Sequence, residues 1–307
     1  MIEYQCYLEK FVLPDDEMEY SIARERMGEN GGAFGYLENG YPCGMFTKKE
    51  LTEIDFDKVT IIYGGNGSGK TTLLNLIANK LKLKRVSPFN DSEMFSKFVN
   101  VCDYRLGTDD YGSEQEIPYG SMIITSDDIF DYMLAVRTTN EEIAENIEKG
   151  KDLYKEIKYG ESIKLKGQEN YDEFRLQVLS RQKSLSRRKF LQKQAGKEIK
   201  LNSNGETAID QFFHKLKNDM LFCLDEPENS LSPKMQLQLK ELIEKKSRYC
   251  GCQFIIATHS PFMLSIQGAK IYNLDTTPVS ICKWWEVENT KTYFEFFEKN
   301  RDLFLKK

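Results

Sequence analysis

A glycine-rich stretch, GGNGSGKTT at residues 64–72, carries the clearest chemical signal in this sequence. It fits the pattern G-x-x-x-x-G-K-T and directly follows the apolar run VTIIY. Glycine lets main-chain N–H groups approach phosphate oxygens because no Cβ stands in the way, and a following helix adds the positive end of its dipole. The stretch therefore predicts a phosphate-binding loop rather than an ordinary turn. Its members are Gly64, Gly65, Asn66, Gly67, Ser68, Gly69, Lys70, Thr71 and Thr72.

Two adjacent acids, Asp225 and Glu226, follow a second apolar run, LFCL at residues 221–224. Side chains at the carboxyl end of a buried parallel strand reach the crevice where α/β sheets bind ligands. Beside a phosphate loop, we expect Lys70 to contact the β- and γ-phosphates, and Thr71 and Asp225 to hold Mg²⁺. Glu226 would then polarise the water that attacks the γ-phosphate. The alternative is an ordinary charged turn, which the phosphate loop makes the less favoured interpretation.

A third apolar run, IIAT at residues 255–258, ends at His259. A neutral imidazole at that position could donate a hydrogen bond to the γ-phosphate and respond to its loss. The alternative is a histidine that caps the turn before Pro261. The order of the three motifs along the chain favours the first interpretation.

This order resembles that of the ATP-binding cassette ATPases, in which a Leu-Ser-Gly-Gly-Gln signature precedes the Asp-Glu strand. Here Asn-Ser-Asn-Gly-Glu, residues 202–206, stands in that place, and Asp-Glu-Pro-Glu-Asn follows at residues 225–229. Both sequences are similar to those of soluble RecF/SMC-like and predicted bacterial AAA-type ATPases rather than to transporter subunits. The same polar stretch also suits a cap for a helix predicted over residues 207–216.

The resemblance implies an ATPase that binds ATP and Mg²⁺ and works as a homodimer, in DNA-linked or defence processes. In that family the signature of one subunit covers the γ-phosphate bound by the other. The signature residues here are Ser203, Asn204, Gly205 and Glu206. Lys70, Glu226 and His259 would be catalytic, and Thr71 and Asp225 would bind the metal. Two alternatives remain, the nucleotide-binding subunit of a membrane transporter and a nucleotide-gated binding module with little turnover.

The sequence departs from the family where a glutamine is expected after a strand that leads into a helical lobe. The corresponding strand, MIIT at residues 122–125, is followed by Ser126, Asp127 and Asp128. These residues are typical of a helix N-cap. Alternatively, Ser126 or Asp127 takes over the coupling of the lobe to the metal and the water. The aromatic residue that stacks on adenine is not identified, because the first 45 positions contain many tyrosines and phenylalanines.

The elements around these motifs predict one α/β domain over residues 1–307, and the resemblance implies a P-loop fold of the ATP-binding cassette type. Its mixed β-sheet would be flanked by helices, with a helical lobe inserted at residues 126–202. Apolar spacing predicts helices over residues 71–83 and 233–246. The tail, residues 292–305, carries aromatic residues on one side of a helix. We expect it to dock into the core rather than to form a binding surface.

The composition narrows the class of protein further. No apolar run is long enough to cross a membrane, and the acidic N-terminus is unlike a signal peptide, so we expect a cytoplasmic location. The net charge is −5, yet residues 181–200 contain eight basic residues and one acid. That segment either contacts nucleic acid or is a solvated helix face that balances acidic residues elsewhere. A second protein effector is a further candidate partner.

Overall fold

The computed structural model describes residues 6–22, 40–89, 91–108, 112–162, 164, 167, 171–181, 204–229 and 231–305. The chain divides into two compact units, one formed by Met1–Ile129 with Ala208–Lys307 and the other by Phe130–Thr207. Most of the predicted basic segment, residues 182–200, lies outside the described residues, as does Ser203. The bounds of 126–202 for an inserted lobe stay a prediction.

Nine strands are found among the described residues. They are β1 (Leu8–Val12), β2 (Glu53–Asp55), β3 (Val59–Tyr63), β4 (Asp103–Leu106), β5 (Met122–Thr125), β6 (Leu221–Asp225), β7 (Gln253–Thr258), β8 (Lys270–Asn273) and β9 (Ser280–Cys282). The helices are α1 (Lys70–Lys80), α2 (Glu93–Val101), α3 (Ser126–Tyr159), α4 (Tyr171–Arg181), α5 (Asn204–Lys215), α6 (Pro233–Tyr249), α7 (Pro261–Leu264), α8 (Glu288–Lys299) and α9 (Arg301–Leu305). Residues 16–22 are also helical, and Thr47–Lys49 form a 3₁₀ turn.

The larger sheet has the strand order β5-β6-β7-β3-β8-β9 in the described part of the chain. Its first five strands run parallel, and β9 pairs antiparallel with β8. The strands β3, β6 and β7 are buried along their whole length, as expected for strands covered on both faces. Their carboxyl ends therefore meet at one edge of the sheet, and the predicted α/β class with a mixed sheet is confirmed.

A second, antiparallel sheet of described residues has the order β2-β1-β4. One hydrophobic cluster includes Leu8 and Phe11 from this sheet, Leu73 and Leu76 from α1, and Ile255 from the larger sheet. Because α1 contributes to the same core as both sheets, its first turn is held firmly. That turn carries Lys70 and Thr71, two of the predicted site residues.

The tail does not dock into the core, so that prediction is wrong. Its residues form helices α8 and α9, but the aromatic side chains of the tail are exposed, with Phe294 and Phe304 each at 68%. Helical spacing of aromatic residues is usually typical of a face turned toward the interior. Among the described residues, the hydrophobic cluster of this unit is formed mainly by the two sheets and the helices α1 and α2, and it includes no residue of α8 or α9.

Candidate functional site

The phosphate loop spans the turn between β3 and α1. Gly67 and Gly69 have φ of 77° and 103°, a left-handed conformation that favours glycine. A Cβ on Gly67 would meet nothing within 4 Å, whereas one on Gly69 would lie 3.0 Å from the Met45 sulfur. One glycine thus keeps the mouth of the loop open, and the other allows it to pack closely against the protein.

The side chain of Lys70 lies inside the loop and is hydrogen bonded to its main chain. Its Nζ donates hydrogen bonds to the carbonyls of Gly64 at 2.8 Å and Gly65 at 3.0 Å, and the side chain is 5% exposed. The same Nζ lies 3.6 Å from Oε1 of Glu226. The ammonium group therefore lies between the loop carbonyls and the Glu226 carboxylate. It is held at the place where a phosphate is expected to bind.

A pocket of about 510 Å³ opens over this loop. Its walls include loop residues together with Asp225, Glu226, Tyr41, Met45, Ser126 and Asp127. Such a volume is within the range of small-molecule sites. The phosphate loop and the Asp-Glu pair therefore share one pocket with Ser126 and Asp127, whose role the sequence left undecided, whereas His259 lines a different surface.

Thr71 and Asp225 form the oxygen pair expected for a metal. The Thr71 hydroxyl donates a hydrogen bond to Oδ1 of Asp225 at 3.1 Å. Among the described residues, no group of three or more His, Cys, Asp or Glu side chains is arranged to bind a metal. Two protein oxygens nevertheless suit Mg²⁺, which takes its remaining ligands from water and phosphate. The donor set thus fits a metal that enters with a nucleotide.

Burial raises the pKa of the Asp225 carboxyl to about 6, and the neighbouring Glu226 and Glu228 add to the rise against Thr71 and Lys70. Between about pH 4 and 6 the folded protein therefore binds one more proton here than the unfolded chain. We expect the nucleotide-free protein to lose about 1 kcal/mol of unfolding free energy from this group as the pH rises from 5 to 7. Denaturant unfolding at both pH values checks this.

The matched variant for that measurement is Asp225→Asn, which cannot ionise. The unfolding free energy of the native protein should fall relative to that of the variant as the pH rises from 5 to 7, because only the native carboxyl titrates. An unchanged difference across the range would contradict a raised pKa at Asp225. Mg²⁺ affinity should fall below pH 6 in the native protein, since protons compete for the carboxylate.

Glu226 sits on a strained backbone at the end of β6. Its φ is 45°, in the left-handed region that is uncommon for residues other than glycine, and its N–H donates to the Ala257 carbonyl at 2.9 Å. Its Oε1 lies 3.5 Å from Nδ1 of His259, and Asn229 donates to its Oε2 at 3.2 Å. This turn directs the carboxylate between Lys70 and His259, at the mouth of the loop.

Glu228, to which the sequence assigned no role, fixes the main chain at His259. Glu228 is buried, and its Oε1 accepts hydrogen bonds from the Thr258 hydroxyl and from the main-chain N–H groups of His259 and Ser260, at 2.5, 3.1 and 3.2 Å. On the other side, the Asn289 amide donates to the His259 carbonyl at 2.6 Å. The backbone of His259 is therefore fixed while its imidazole stays about half exposed.

Two further contacts at the loop were not anticipated. The hydroxyl of Tyr41 donates to Thr72 at 2.7 Å, and its ring stacks on Phe95. After β8, the carboxylate of Asp275 accepts the Gly65 N–H with both oxygens at 2.9 Å. Tyr41 is one of too many early aromatic residues for the sequence to single out, and the contact of Asp275 depends on how β8 pairs with β3.

The strand–helix junction after β5 shows which residues cap the helix. The Thr125 N–H donates to Asp128 at 2.8 Å, and the Asp128 N–H donates to the Thr125 hydroxyl at 3.3 Å, which is a reciprocal cap. A cap is thus present as predicted, but it is formed by Thr125 and Asp128, and of the three residues predicted for it Asp128 takes part in these hydrogen bonds. Ser126 and Asp127 instead line the pocket over the phosphate loop.

The signature segment is described only in part. Asn204, Gly205 and Glu206 lie in the first turn of α5, but their side chains and all of Ser203 are outside the described part of the structure. The helix predicted over residues 207–216 is present, but it begins at Asn204, within the signature segment. The contacts of the four residues stay a prediction.

Residues 207–265 match the family described as "AAA domain, putative AbiEii toxin, Type IV TA system". This segment contains the Asp-Glu pair and His259. The predicted resemblance to ATP-binding cassette-like ATPases is therefore confirmed in the part of the chain that carries two of the three motifs.

Two curated proteins are similar over part of their length. One is an uncharacterized ABC transporter ATP-binding protein/permease of Saccharomyces cerevisiae, 28% identical over 66% of this chain. The other is a small ribosomal subunit biogenesis GTPase of Streptococcus agalactiae, 37% identical over 27% of this chain. The matches span only 14% and 26% of those two relatives.

Among solved structures, the SMC head domain of Thermotoga maritima covers 90% of this chain and 98% of its own, at 13% identity and a TM-score of 0.34. The Smc head domain of Pyrococcus furiosus, bound to the C-terminal domain of ScpA, covers 81% and 95% at 14% identity and a TM-score of 0.37. At these scores neither match bears on the function of this chain.

Proposed function

We propose that this chain binds Mg-ATP at the carboxyl edge of its parallel sheet and hydrolyses it, working as an ATP-sandwiched homodimer. One observation carries the proposal: Oε1 of Glu226 lies 3.6 Å from Nζ of Lys70 and 3.5 Å from Nδ1 of His259, although the three residues come from separate segments. A cation, a carboxylate and an imidazole in that order match the needs of phosphoryl transfer to water.

Each residue has a distinct part in the proposed reaction. Lys70 neutralises negative charge on the phosphates, and the N–H groups of the phosphate loop orient their oxygens. Thr71 and Asp225 hold Mg²⁺, which when bound supplies positive charge next to the β- and γ-phosphates. Glu226 accepts the proton of the attacking water through the carboxylate that Asn229 orients. His259, fixed by Glu228 and Asn289, donates to the γ-phosphate.

We further propose that Tyr41 and Met45 pack against the base of the nucleotide. Both line the loop pocket, and Tyr41 is already held in place by Phe95 and Thr72. Aromatic stacking is tolerant of base identity. Since one curated relative is named as a GTPase, titrations should use ATP and GTP in parallel.

The proposal of an ATP-sandwiched dimer comes from the resemblance to the ATP-binding cassette ATPases. In the proposed arrangement Ser203, Asn204, Gly205 and Glu206 of one copy complete the site of the other. The first turn of α5 supports this, because N–H groups at a helix start attract an anion. A single copy would leave the γ-phosphate open to solvent on that side.

Phosphate release by the native chain, with Mg²⁺ and with a chelator, tests the function. Release that needs Mg²⁺ is the expected result. Tight ATP binding without release would favour the nucleotide-gated module. The name of the yeast relative favours a second candidate, the nucleotide-binding subunit of a transporter. Co-purification of a membrane protein is the result expected for that candidate. No helix among the described residues is both long and apolar enough to cross a membrane.

We also propose that the basic segment, residues 181–200, contacts nucleic acid, in keeping with a DNA-linked or defence role and a cytoplasmic location. Binding to phosphates releases counterions, so affinity should fall steeply as salt rises. Arg187→Glu with Arg188→Glu should abolish that salt-dependent binding in a fluorescence-anisotropy titration, whereas Lys245→Glu on the exposed face of α6 should not. Absent or salt-independent binding by the native chain would remove this part of the proposal.

A further inference from the structure

A second concave surface lies beside His259, away from the phosphate loop. It is a groove of about 710 Å³ bounded by aromatic residues of α8 and of the segment that precedes it, and it reaches His259 and Glu228. The aromatic residues are Trp284, Trp285, Tyr293, Phe294 and Phe297. None of these five has a part in the proposed reaction, so catalysis does not explain the aromatic wall.

The groove is the concave part of a larger exposed apolar surface. Eight large apolar side chains, exposed by 47% to 68%, lie between residues 285 and 305. They are Trp285, Tyr293, Phe294, Phe296, Phe297, Leu303, Phe304 and Leu305. The rings of Phe296, Phe297 and Phe304 contact one another in series, with centroids 5.5 and 5.9 Å apart. We call these eight residues the C-terminal aromatic patch.

The size of the C-terminal aromatic patch points to a macromolecular occupant. Burying an aromatic side chain covers roughly 150–250 Å², so the exposed parts of these eight side chains offer on the order of 900 Å². The largest apolar patch on a typical monomer is only about 300–600 Å². A stable protein interface buries about 800 Å² on each partner. The patch alone therefore supplies the area that one side of a stable dimer needs.

The charges around the patch allow a second copy of the same surface to approach. Residues 285–305, which carry the patch, contain five acids and three bases, a net charge of −2. This charge is small and both signs are interspersed, so salt at physiological concentration screens most of the repulsion between two copies brought face to face. In a two-fold interface the same patch serves both partners, so each copy must be apolar and electrically self-compatible. This surface satisfies both conditions.

From these observations we propose that the C-terminal aromatic patch joins two copies of this chain in a two-fold symmetric dimer that forms without nucleotide. This dimer is separate from the ATP-sandwiched dimer proposed above, which needs bound nucleotide and the signature segment. Its formation covers the groove and the aromatic rings of α8 and α9 on both copies.

Sedimentation velocity of the nucleotide-free chain tests the proposal, with the expected result that the native protein is a dimer. Phe304→Asp should weaken the dimer about 100-fold or more, because the buried carboxylate would lack a partner. Phe304 is largely exposed, so the variant should keep its fold, which circular dichroism checks. Tyr249→Asp, at an equally exposed aromatic residue on α6, is the matched control and should remain dimeric.

Tryptophan fluorescence provides an independent readout, because both tryptophans of the chain line the groove. Emission of the dimer should lie at shorter wavelength than that of Phe304→Asp, since water leaves the rings on association. Lys70→Ala should not affect this dimer. A native chain that sediments as a monomer without nucleotide, or a Phe304→Asp variant that stays dimeric, overturns the proposal. Dimers that appear only with Mg-ATP would also overturn it, while supporting the ATP-sandwiched dimer.

Discussion

Lys70→Ala is expected to weaken nucleotide binding at least about 100-fold, the largest effect of any single change in the loop. The ammonium group is buried, bridges two loop carbonyls and lies beside Glu226. Alanine removes this cation from the mouth of the loop and leaves Glu226 to repel the phosphates. Isothermal titration calorimetry with ATP and Mg²⁺ measures the change directly.

The control for that experiment is Lys245→Ala, which removes an exposed lysine of α6 that does not line the loop pocket. Its affinity should match that of the native chain. Thermal unfolding of both variants must show that the Lys70 change has not simply unfolded α1. If folded Lys70→Ala protein still bound ATP with near-native affinity, the phosphate loop would not be the nucleotide site.

Glu226→Gln should slow ATP hydrolysis by about 10²- to 10⁴-fold and leave nucleotide binding intact or tighter. Glutamine has the same shape and can still accept a hydrogen bond from Asn229, but it cannot take a proton from water. The change also removes a negative charge 3.6 Å from the Lys70 ammonium group, which would then be free to pair with phosphate. Single-turnover phosphate release gives the rate, and calorimetry gives the affinity.

The same variant traps the ATP-bound state, so sedimentation with Mg-ATP should show association that ADP does not support. Glu241→Gln, an exposed acid on α6, serves as the matched control and should hydrolyse ATP at the native rate. Unchanged hydrolysis in Glu226→Gln would exclude this carboxylate as the proton acceptor. If the variant hydrolyses ATP slowly but does not associate, the assignment of Glu226 as the proton acceptor stands and the proposal of an ATP-sandwiched dimer is contradicted.

The sequence predicts which distant segments meet at the site, because buried parallel strands appear in it as runs of apolar residues. The predicted runs at 59–63 and 122–125 coincide with β3 and β5, and those at 221–224 and 255–258 fall within β6 and β7. Side chains at the carboxyl ends of such strands share one edge of the sheet. The pattern of residues alone therefore predicts that Asp225 meets the phosphate loop.

Contacts that depend on loop paths could not be predicted in this way. Asp275 reaches Gly65 only because β8 lies beside β3, and no local pattern encodes that pairing. Tyr41 is distinguished from other early aromatic residues by its hydrogen bond to Thr72, which depends on the path of the chain around Pro42. The tail shows another limit of prediction from sequence. Helical periodicity shows that a helix has an apolar side, but it does not show whether that side packs into the interior of the same chain.

The hydrogen bond from Asn289 to the His259 carbonyl joins the first turn of α8 to the residue proposed to contact the γ-phosphate. Free energies around a closed cycle must sum to zero. If both proposals hold, any factor by which self-association through α8 changes the affinity for ATP is the same factor by which ATP changes self-association. This amide is the contact through which the two events would affect each other.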